Sequence, residues 1–261
     1  MKLKALAVLL CAMTGVAATQ FVTAQERSRD RGDFTERDEF RQTFKLARGA
    51  QVEVRDINGP LEIETTDGDS AEVYVIRSAR TRADLEYHKV IVENTGATFR
   101  VYTEQPPDEI SNRISVRHRA VLKLPRPADL TVRNINGQAR IGEIDGPAHI
   151  GNINGRLEVG HLAGFAELSN INGSIAITLE RLGERGITMR NINGGINFRF
   201  LDQPNADLDL EMFNGTVDSS LATSVQKITR SSFRGQIGAG GAPITGSHIN
   251  GAVSVRVGPE K

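Results

Sequence analysis

The apolar residues of this chain recur in a fixed frame around one phrase, Asn-Ile-Asn-Gly. The phrase stands whole at residues 134–137, 152–155, 170–173 and 191–194, with variants at 56–59, 212–215, 232–235 and 248–251. Ile or Phe stands two residues before each glycine. Apolar residues usually stand five and seven before it, as Val132 and Leu130, Ile150 and Ala148, and Leu168 and Ala166 do. They resume two and four after it, as at Ala139 and Ile141, Leu157 and Val159, and Ile175 and Ile177. Period-two alternation over such short runs predicts strands with one buried face. Between the runs lies a turn, where glycine accepts a positive φ and asparagine tolerates one better than most residues.

The spacing predicts how these strands assemble. From Gly137 to Gly173 a glycine falls every nine residues, through Gly146, Gly155 and Gly164. The unit is therefore eighteen residues, two strands and two turns, and a fixed period of this size marks a repeat architecture. The expected fold is all-β: a parallel β-solenoid of two-strand rungs, with an inserted antiparallel β meander near the N-terminus. One rung buries about six apolar side chains, each contributing roughly 1.5–3 kcal/mol. Ordering some eighteen residues costs roughly 1–2 kcal/mol apiece in backbone entropy. A lone rung fails, so neighbours must share the core.

The second asparagine recurs in seven of the eight copies: Asn58, Asn136, Asn154, Asn172, Asn193, Asn214 and Asn250, with Arg234 the exception. Stacked rungs would set these amides in a ladder. The ladder would run beside a column of turn glycines: Gly59, Gly137, Gly155, Gly173, Gly194, Gly215, Gly235 and Gly251. That role is structural.

Residues 1–24 read as a secretory signal. Lys2 and Lys4 precede an apolar run at 5–18, and Val22-Thr23-Ala24 offers a small-residue cleavage site. The run is short for a bilayer span, and no transmembrane segment is expected once it is removed. The single cysteine, Cys11, would leave with it, and with it any disulfide, thiol nucleophile or thiolate metal site. Residues 25–39 are charged, of mixed sign, and expected to form a flexible leader. Its Arg31-Gly32-Asp33 triplet reads as a chance match. Residues 40–128 hold the first rung and the insert. Its strands are expected at 71–77, 89–93, 98–104 and 114–124, with a helical turn at 82–88. The insert should cover the open end of the repeats, which occupy 129–258.

Composition narrows the function. The chain has 32 basic and 32 acidic residues, and loss of the signal leaves 30 against 32, a net of −2. That balance argues against a grip on nucleic acid. Without tryptophan and with few aromatics, an aromatic platform for sugars is not expected. No cofactor or metal site is read. No helix follows these glycines to cradle a phosphate. The nonapeptide that binds calcium needs several glycines and an aspartate per turn, where this chain has one glycine and asparagine. Asp207, Asp209 and Glu211 alternate outward from Leu208 and Leu210 and are the best carboxylate candidates for glycoside chemistry. Thr188 is their expected neighbour, with no matching acid, so a solvated acidic strand is the reading. His149 and His161 are expected to face solvent. No catalytic residue is assigned.

A strand pair around DINGPLEIET, a strand ending in LKLPRPADLTVRNINGQARI, and the glycine-punctuated rungs that follow resemble the DUF4097 family of bacterial envelope proteins, which carries an adhesin label. The resemblance spans residues 40–258. It implies a repeat fold and a surface role, with an envelope protein or surface glycan as partner, in the periplasm, at the cell surface or outside the cell. It brings no catalytic residues. The copy at 232–235 departs most, with Arg230 at an apolar position, and a distorted rung is expected there. Two functions compete: a non-catalytic exported module for adhesion or envelope structure, and a carbohydrate-active β-helix enzyme using the acidic strand. Short rungs leave no long loops, where catalytic groups usually sit, and favour the first.

Overall fold

The computed structural model describes residues 34–258, apart from 112, 180, 181, 220–222 and 230. The expected signal peptide and the leader up to residue 33 lie outside the described residues. Strand β1 (Glu36–Lys45) comes first, followed by β2 (Gln51–Asn58) and β3 (Leu61–Thr66), the first copy of the frame. The insert holds β4 (Ser70–Ala79), α1 (Arg82–Glu86), β5 (Val90–Asn94), β6 (Thr98–Thr103), α2 (Asp108–Ser111) and β7 (Val116–Pro125). Strand pairs then alternate: β8 (Asp129–Asn136) with β9 (Ala139–Ile141), β10 (Ala148–Asn154) with β11 (Leu157–Leu162), β12 (Ala166–Asn172) with β13 (Ile175–Leu179), and β14 (Ile187–Asn193) with β15 (Ile196–Phe200). The chain continues through β16 (Ala206–Asn214), β17 (Val217–Ser219), β18 (Thr223–Ile228), β19 (Ser232–Ile237), β20 (Ala242–Asn250) and β21 (Val253–Val257).

These strands form two mixed sheets, neither closed into a barrel. One runs β1-β4-β7-β3-β9-β11-β13-β15-β21-β17, the other β18-β19-β16-β20-β14-β12-β10-β8-β2-β6-β5. The first strand of each pair lies in one sheet and the second in the other. Pairing between successive copies is parallel and in frame: Ile153 lies beside Ile135 and Ile171, and Leu157 beside Ala139 and Ile175. The inward residues of both sheets join one buried cluster, in which Ile135, Ile153, Ile171, Leu157 and Ile175 are almost wholly enclosed.

One backbone feature explains the uneven spacing of the frame. The first asparagine of the phrase is left-handed: φ is 56° at Asn134, 55° at Asn152, 53° at Asn170 and 54° at Asn191. Asp56 and His248 hold the same place at 62° and 57°. Asn, Asp and His are the side chains most often found there. Strict alternation from Leu130 and Val132 would turn residue 134 inward and Ile135 outward. The left-handed residue breaks the parity. Asn134 stays exposed and Ile135 is buried, and the register skips the residue in every parallel pair of these strands.

The glycine that ends the phrase is required by contact as well as by φ. At Gly155, φ is 150°, and a Cβ would overlap the carbonyl oxygen of Gly137 and lie 2.7 Å from its carbonyl carbon. The same overlap recurs for Gly137 on Gly59, Gly173 on Gly155, Gly194 on Gly173, and Gly251 on Gly194.

The structure corrects four expectations. The leader does not reach residue 39, because Glu36–Glu39 already belong to β1, paired antiparallel with β4. Charged residues suit an edge strand, and Asp38 binds the guanidinium of Arg77. The insert pairs antiparallel, β4 with β7 and β5 with β6, but it is divided between the two sheets and is not one meander. Strands β5 and β6 extend one sheet from β2, while β7, β4 and β1 extend the other from β3. Each sheet edge left by the first copy is thus covered by its own strands. The copy at 232–235 is not a rung: β19 lies antiparallel between β16 and β18, with Gly235 opposite Leu208.

The fourth correction concerns order. The last copy, β20 with β21, lies between β14 with β15 and β16 with β17. Its phrase, His248 to Gly251, continues every column: Ile249 beside Ile192, Asn250 beside Asn193, Gly251 on Gly194. The 212–215 copy pairs with it only through register shifts. The better match to the frame takes the inner place.

The enclosure of Ile153 gives a direct stability test. Ile153→Ala leaves a cavity between two rungs and should cost about 2–5 kcal/mol. Gly155→Ala must push apart two backbones and should cost at least about 3 kcal/mol. Arg156→Ala, on an exposed side chain, should change stability by less than about 0.5 kcal/mol. Chemical denaturation of the three variants measures this; a harmless Gly155→Ala would contradict the stacking contact.

Candidate functional site

The phrase builds two amide columns along one corner of the stack. In the first, Asn134 Nδ2 donates to Asp56 Oδ1 at 2.8 Å, Asn152 to Asn134 at 2.9 Å, Asn170 to Asn152 at 3.0 Å and Asn191 to Asn170 at 2.9 Å. In the second, Asn136 donates to Asn58 at 3.0 Å, Asn154 to Asn136 at 3.3 Å, Asn172 to Asn154 at 3.5 Å, Asn193 to Asn172 at 3.3 Å, and Asn250 to Asn193 at 3.3 Å. Asn214 lies beside Asn250 in register, and its carbonyl accepts the N–H of Gly251 at 2.9 Å. The first column was not singled out from sequence, although the break in alternation at its position was the available signal. Both columns tie rung to rung.

A recess lies on the outer face of the sheet that contains β9, β11 and β13. Its volume is about 540 Å³. Small residues contribute to its lining: Gly142 and Gly160, at the same place in two successive copies, and Ala176 from the next copy, beside Glu158. Arg140, Arg156 and Glu158 stand at its rim. Glu158 accepts from Arg140 Nε at 2.8 Å and lies 3.5 Å from an Arg156 nitrogen. The hydrogen bond from Arg140 holds the Glu158 carboxyl below its usual range, against partial burial. The rim is thus fixed in charge at neutral pH, with guanidinium donors and carboxylate acceptors side by side. On the other sheet, His149 lies 3.3 Å from Glu167 and edge-on to Phe165. His161 lies 3.3 Å from Glu143.

Two of the three acids on the acidic strand have polar partners of their own. Asp209 binds Arg234 at 3.1 Å, and Asp207 accepts from Gln236 at 3.2 Å and from the Gly241 N–H at 3.4 Å. Glu211 lies opposite Ser232. The neighbour on the other side is β20, not β14, so Thr245 stands beside Asp209 where Thr188 was expected. Pro243 stands beside Asp207. Neither brings a second carboxylate.

A buried basic cluster, invisible in the sequence, sits beneath the insert. The rings of His88 and His118 are 5.7 Å apart, and both are buried. Arg77 donates to the carbonyls of Leu85 at 2.7 Å and His88 at 2.9 Å. His118 Nδ1 accepts the N–H of Asn58 at 3.0 Å, so its proton sits on Nε2. Burial pushes the His118 imidazole down to about 3, helped by the charges of His88 and Arg77. Burial also lowers His88, with Arg77 adding to the shift and Asp84 opposing it.

The sign of the pH dependence follows. A histidine with a folded pKa of about 3 against an ordinary value of 6.5 binds fewer protons folded than unfolded. Its stabilising effect is complete above about pH 6.5 and is lost as pH falls towards 3. The loss should reach a few kcal/mol. Denaturation of wild type and His118→Asn between pH 3 and 8 measures it. The variant keeps an acceptor near Nδ1 and loses the titration, so its slope should be shallower; an unchanged slope would place the titration elsewhere.

No family model matches this chain, and no curated protein matches it. Among solved structures, it is similar to a putative cell adhesion protein from Clostridium sporogenes, at 11% identity over 85% of this chain and 100% of that one, with a TM-score of 0.45. It is also similar to a putative adhesin from Parabacteroides merdae, at 10% identity over 84% and 95%, with a TM-score of 0.31. A putative lipid binding protein from Parabacteroides distasonis shares 11% identity over 84% and 96%, with a TM-score of 0.25.

Proposed function

We propose that this chain is a non-catalytic, exported binding module built as a parallel β-solenoid, adhesin-like in role, whose partner is an envelope protein or a surface glycan. The recess on Gly142, Gly160 and Ala176 carries the reading. Three small residues in successive copies lie among charged and polar side chains, including Glu62, Glu64, Arg140, Glu158, Thr178 and Arg199. A ligand lying there would meet guanidinium donors and a carboxylate already held in place, so little side-chain entropy is lost on contact. Charge-assisted bonds of this kind suit hydroxyl-rich or peptide-like ligands. In-register parallel pairing at an eighteen-residue period supports the solenoid assignment. The charged start and apolar run at 5–18 support export. No helix among the described residues is long and apolar enough to cross a membrane.

A binding screen of the chain against surface glycans and envelope or matrix proteins tests this. Ala176 is exposed in the lining, and Ala176→Arg fills the recess without touching the core. Binding to any ligand found should fall about tenfold or more, with melting temperature unchanged. Full binding by the variant would move the site elsewhere. Turnover of a polysaccharide that disappears in Asp209→Ala would overturn the non-catalytic reading.

A further inference from the structure

We infer that the chain self-associates through β5, edge to edge and antiparallel, with a second copy of itself. Strand β5 ends its sheet among the described residues. The parity of its backbone bonds is fixed. Glu104 N–H donates to Lys89 O, and Thr95 N–H to Thr98 O, so the odd residues turn their backbone groups towards β6. The groups of Val90, Val92 and Asn94 therefore point to the open side. The edge has little to repel a partner. The edge strand at the same end of the other sheet, β1, carries Glu36, Arg37, Asp38, Glu39, Arg41 and Lys45 among its ten residues, the usual protection of an exposed edge. Strand β5 reads Val-Ile-Val-Glu-Asn, with one charge. Tyr87, one of two exposed large apolar residues among those described, lies just before it.

The sequence around β5 is complementary to itself. Lys89-Val90-Ile91-Val92-Glu93, paired antiparallel about Ile91, sets Lys89 of each copy opposite Glu93 of the other. Val90 then faces Val92, and Ile91 faces Ile91 on the two-fold axis. In this register Val90 and Val92, whose groups point outward, form the hydrogen-bonded pairs. Lys89, Ile91 and Glu93 form the close, non-hydrogen-bonded pairs, where side chains interact most. Shifting the register by two residues either way puts Glu93 opposite Ile91 or Tyr87 and loses both charge pairs. Glu93 accepts from Tyr102 at 3.0 Å and from Arg100 at 3.4 Å, and Lys89 lies 3.5 Å from Glu86; Lys89 and Glu93 both remain exposed and can share a partner across the pair. Val90 and Val92 pack on the core, so pairing requires no rearrangement of the sheet.

Analytical ultracentrifugation across a concentration series, with protein purified from cells expressing the full chain, tests the inference. Wild type should show a reversible monomer–dimer equilibrium. Lys89→Glu and Glu93→Lys should each weaken it about tenfold, because each sets like charges opposite at both ends of the pair. Mixing the two single variants should restore association as a heterodimer, since an acid then meets a base at each end. The double variant, with both charges exchanged, should restore the homodimer. Thermal unfolding checks that each variant is folded. Should a reversal fail to fold, Ile91→Lys, which sets two lysines on the axis, should be monomeric. A monomeric wild type, unaffected single variants, or a mixture that does not associate would each overturn the proposal.

Discussion

The spacing between rungs at the Asn-Ile-Asn-Gly corner governs the structure. Parallel strands stand about 4.8 Å apart, and at this corner the chain turns with its backbone directly over the turn below. A Cβ on Gly155 has nowhere to go but into the Gly137 carbonyl. Glycine therefore sets the closeness, and closeness sets the rest. The flanking asparagines come within hydrogen-bonding reach of their equivalents on the next copy, and the isoleucine between them stacks on isoleucine. Widening the corner would loosen a backbone contact, two amide columns and a row of the core together.

The left-handed asparagine adds a second constraint. It sets two consecutive residues outward, as Arg133 and Asn134 are between buried Val132 and Ile135, which a regular strand cannot do. The outer faces are thereby left to side chains that the fold does not use. On one of them Gly142 and Gly160 hold the same place in successive copies and Ala176 lies beside Glu158, and these small residues help to form the recess. On the other sheet's face, and along most of the first, acids and bases pair across neighbouring strands, as Asp209 does with Arg234. Such exposed pairs contribute little stability each.

Much of this was legible because it is local. Alternation and the nine-residue spacing identified Val132, Ile135, Ala139 and Ile141 as inward, and each is buried. The left-handed column was also written in the sequence, in the parity break and in the choice of Asp56 and His248 as its ends. What alternation cannot encode is which strand lies beside which. A run such as Ser232 to Ile237 buries one face whether its neighbours are parallel or antiparallel, and it is antiparallel. The inner place of β20 follows from a comparison of corners. His248 to Gly251 carries the left-handed residue and the glycine in frame, and Met212 to Gly215 enters only through shifts. The acidic strand consequently met Thr245 and Pro243, a pairing no local reading supplies. The contact of Asn58 with His118 spans sixty residues and has no periodic signal.

That contact shows how an amide ladder can end inside a protein. Asn58 is the first member of its column, with no phrase beneath it. Strand β7 takes the empty place. Its Val116 carbonyl accepts the Asn58 side-chain amide at 2.8 Å, and its His118 ring accepts the Asn58 N–H. His118 also lays its own carbonyl against Gly59, where a turn glycine would otherwise lie. A ring nitrogen can accept that bond only while the imidazole is neutral. The surroundings enforce neutrality: the site is buried, and Arg77 and His88 stand close by. The same histidine that closes the ladder is therefore held far from its ordinary titration, and the N-terminal end of the stack is joined to the insert by a group whose protonation would break the joint.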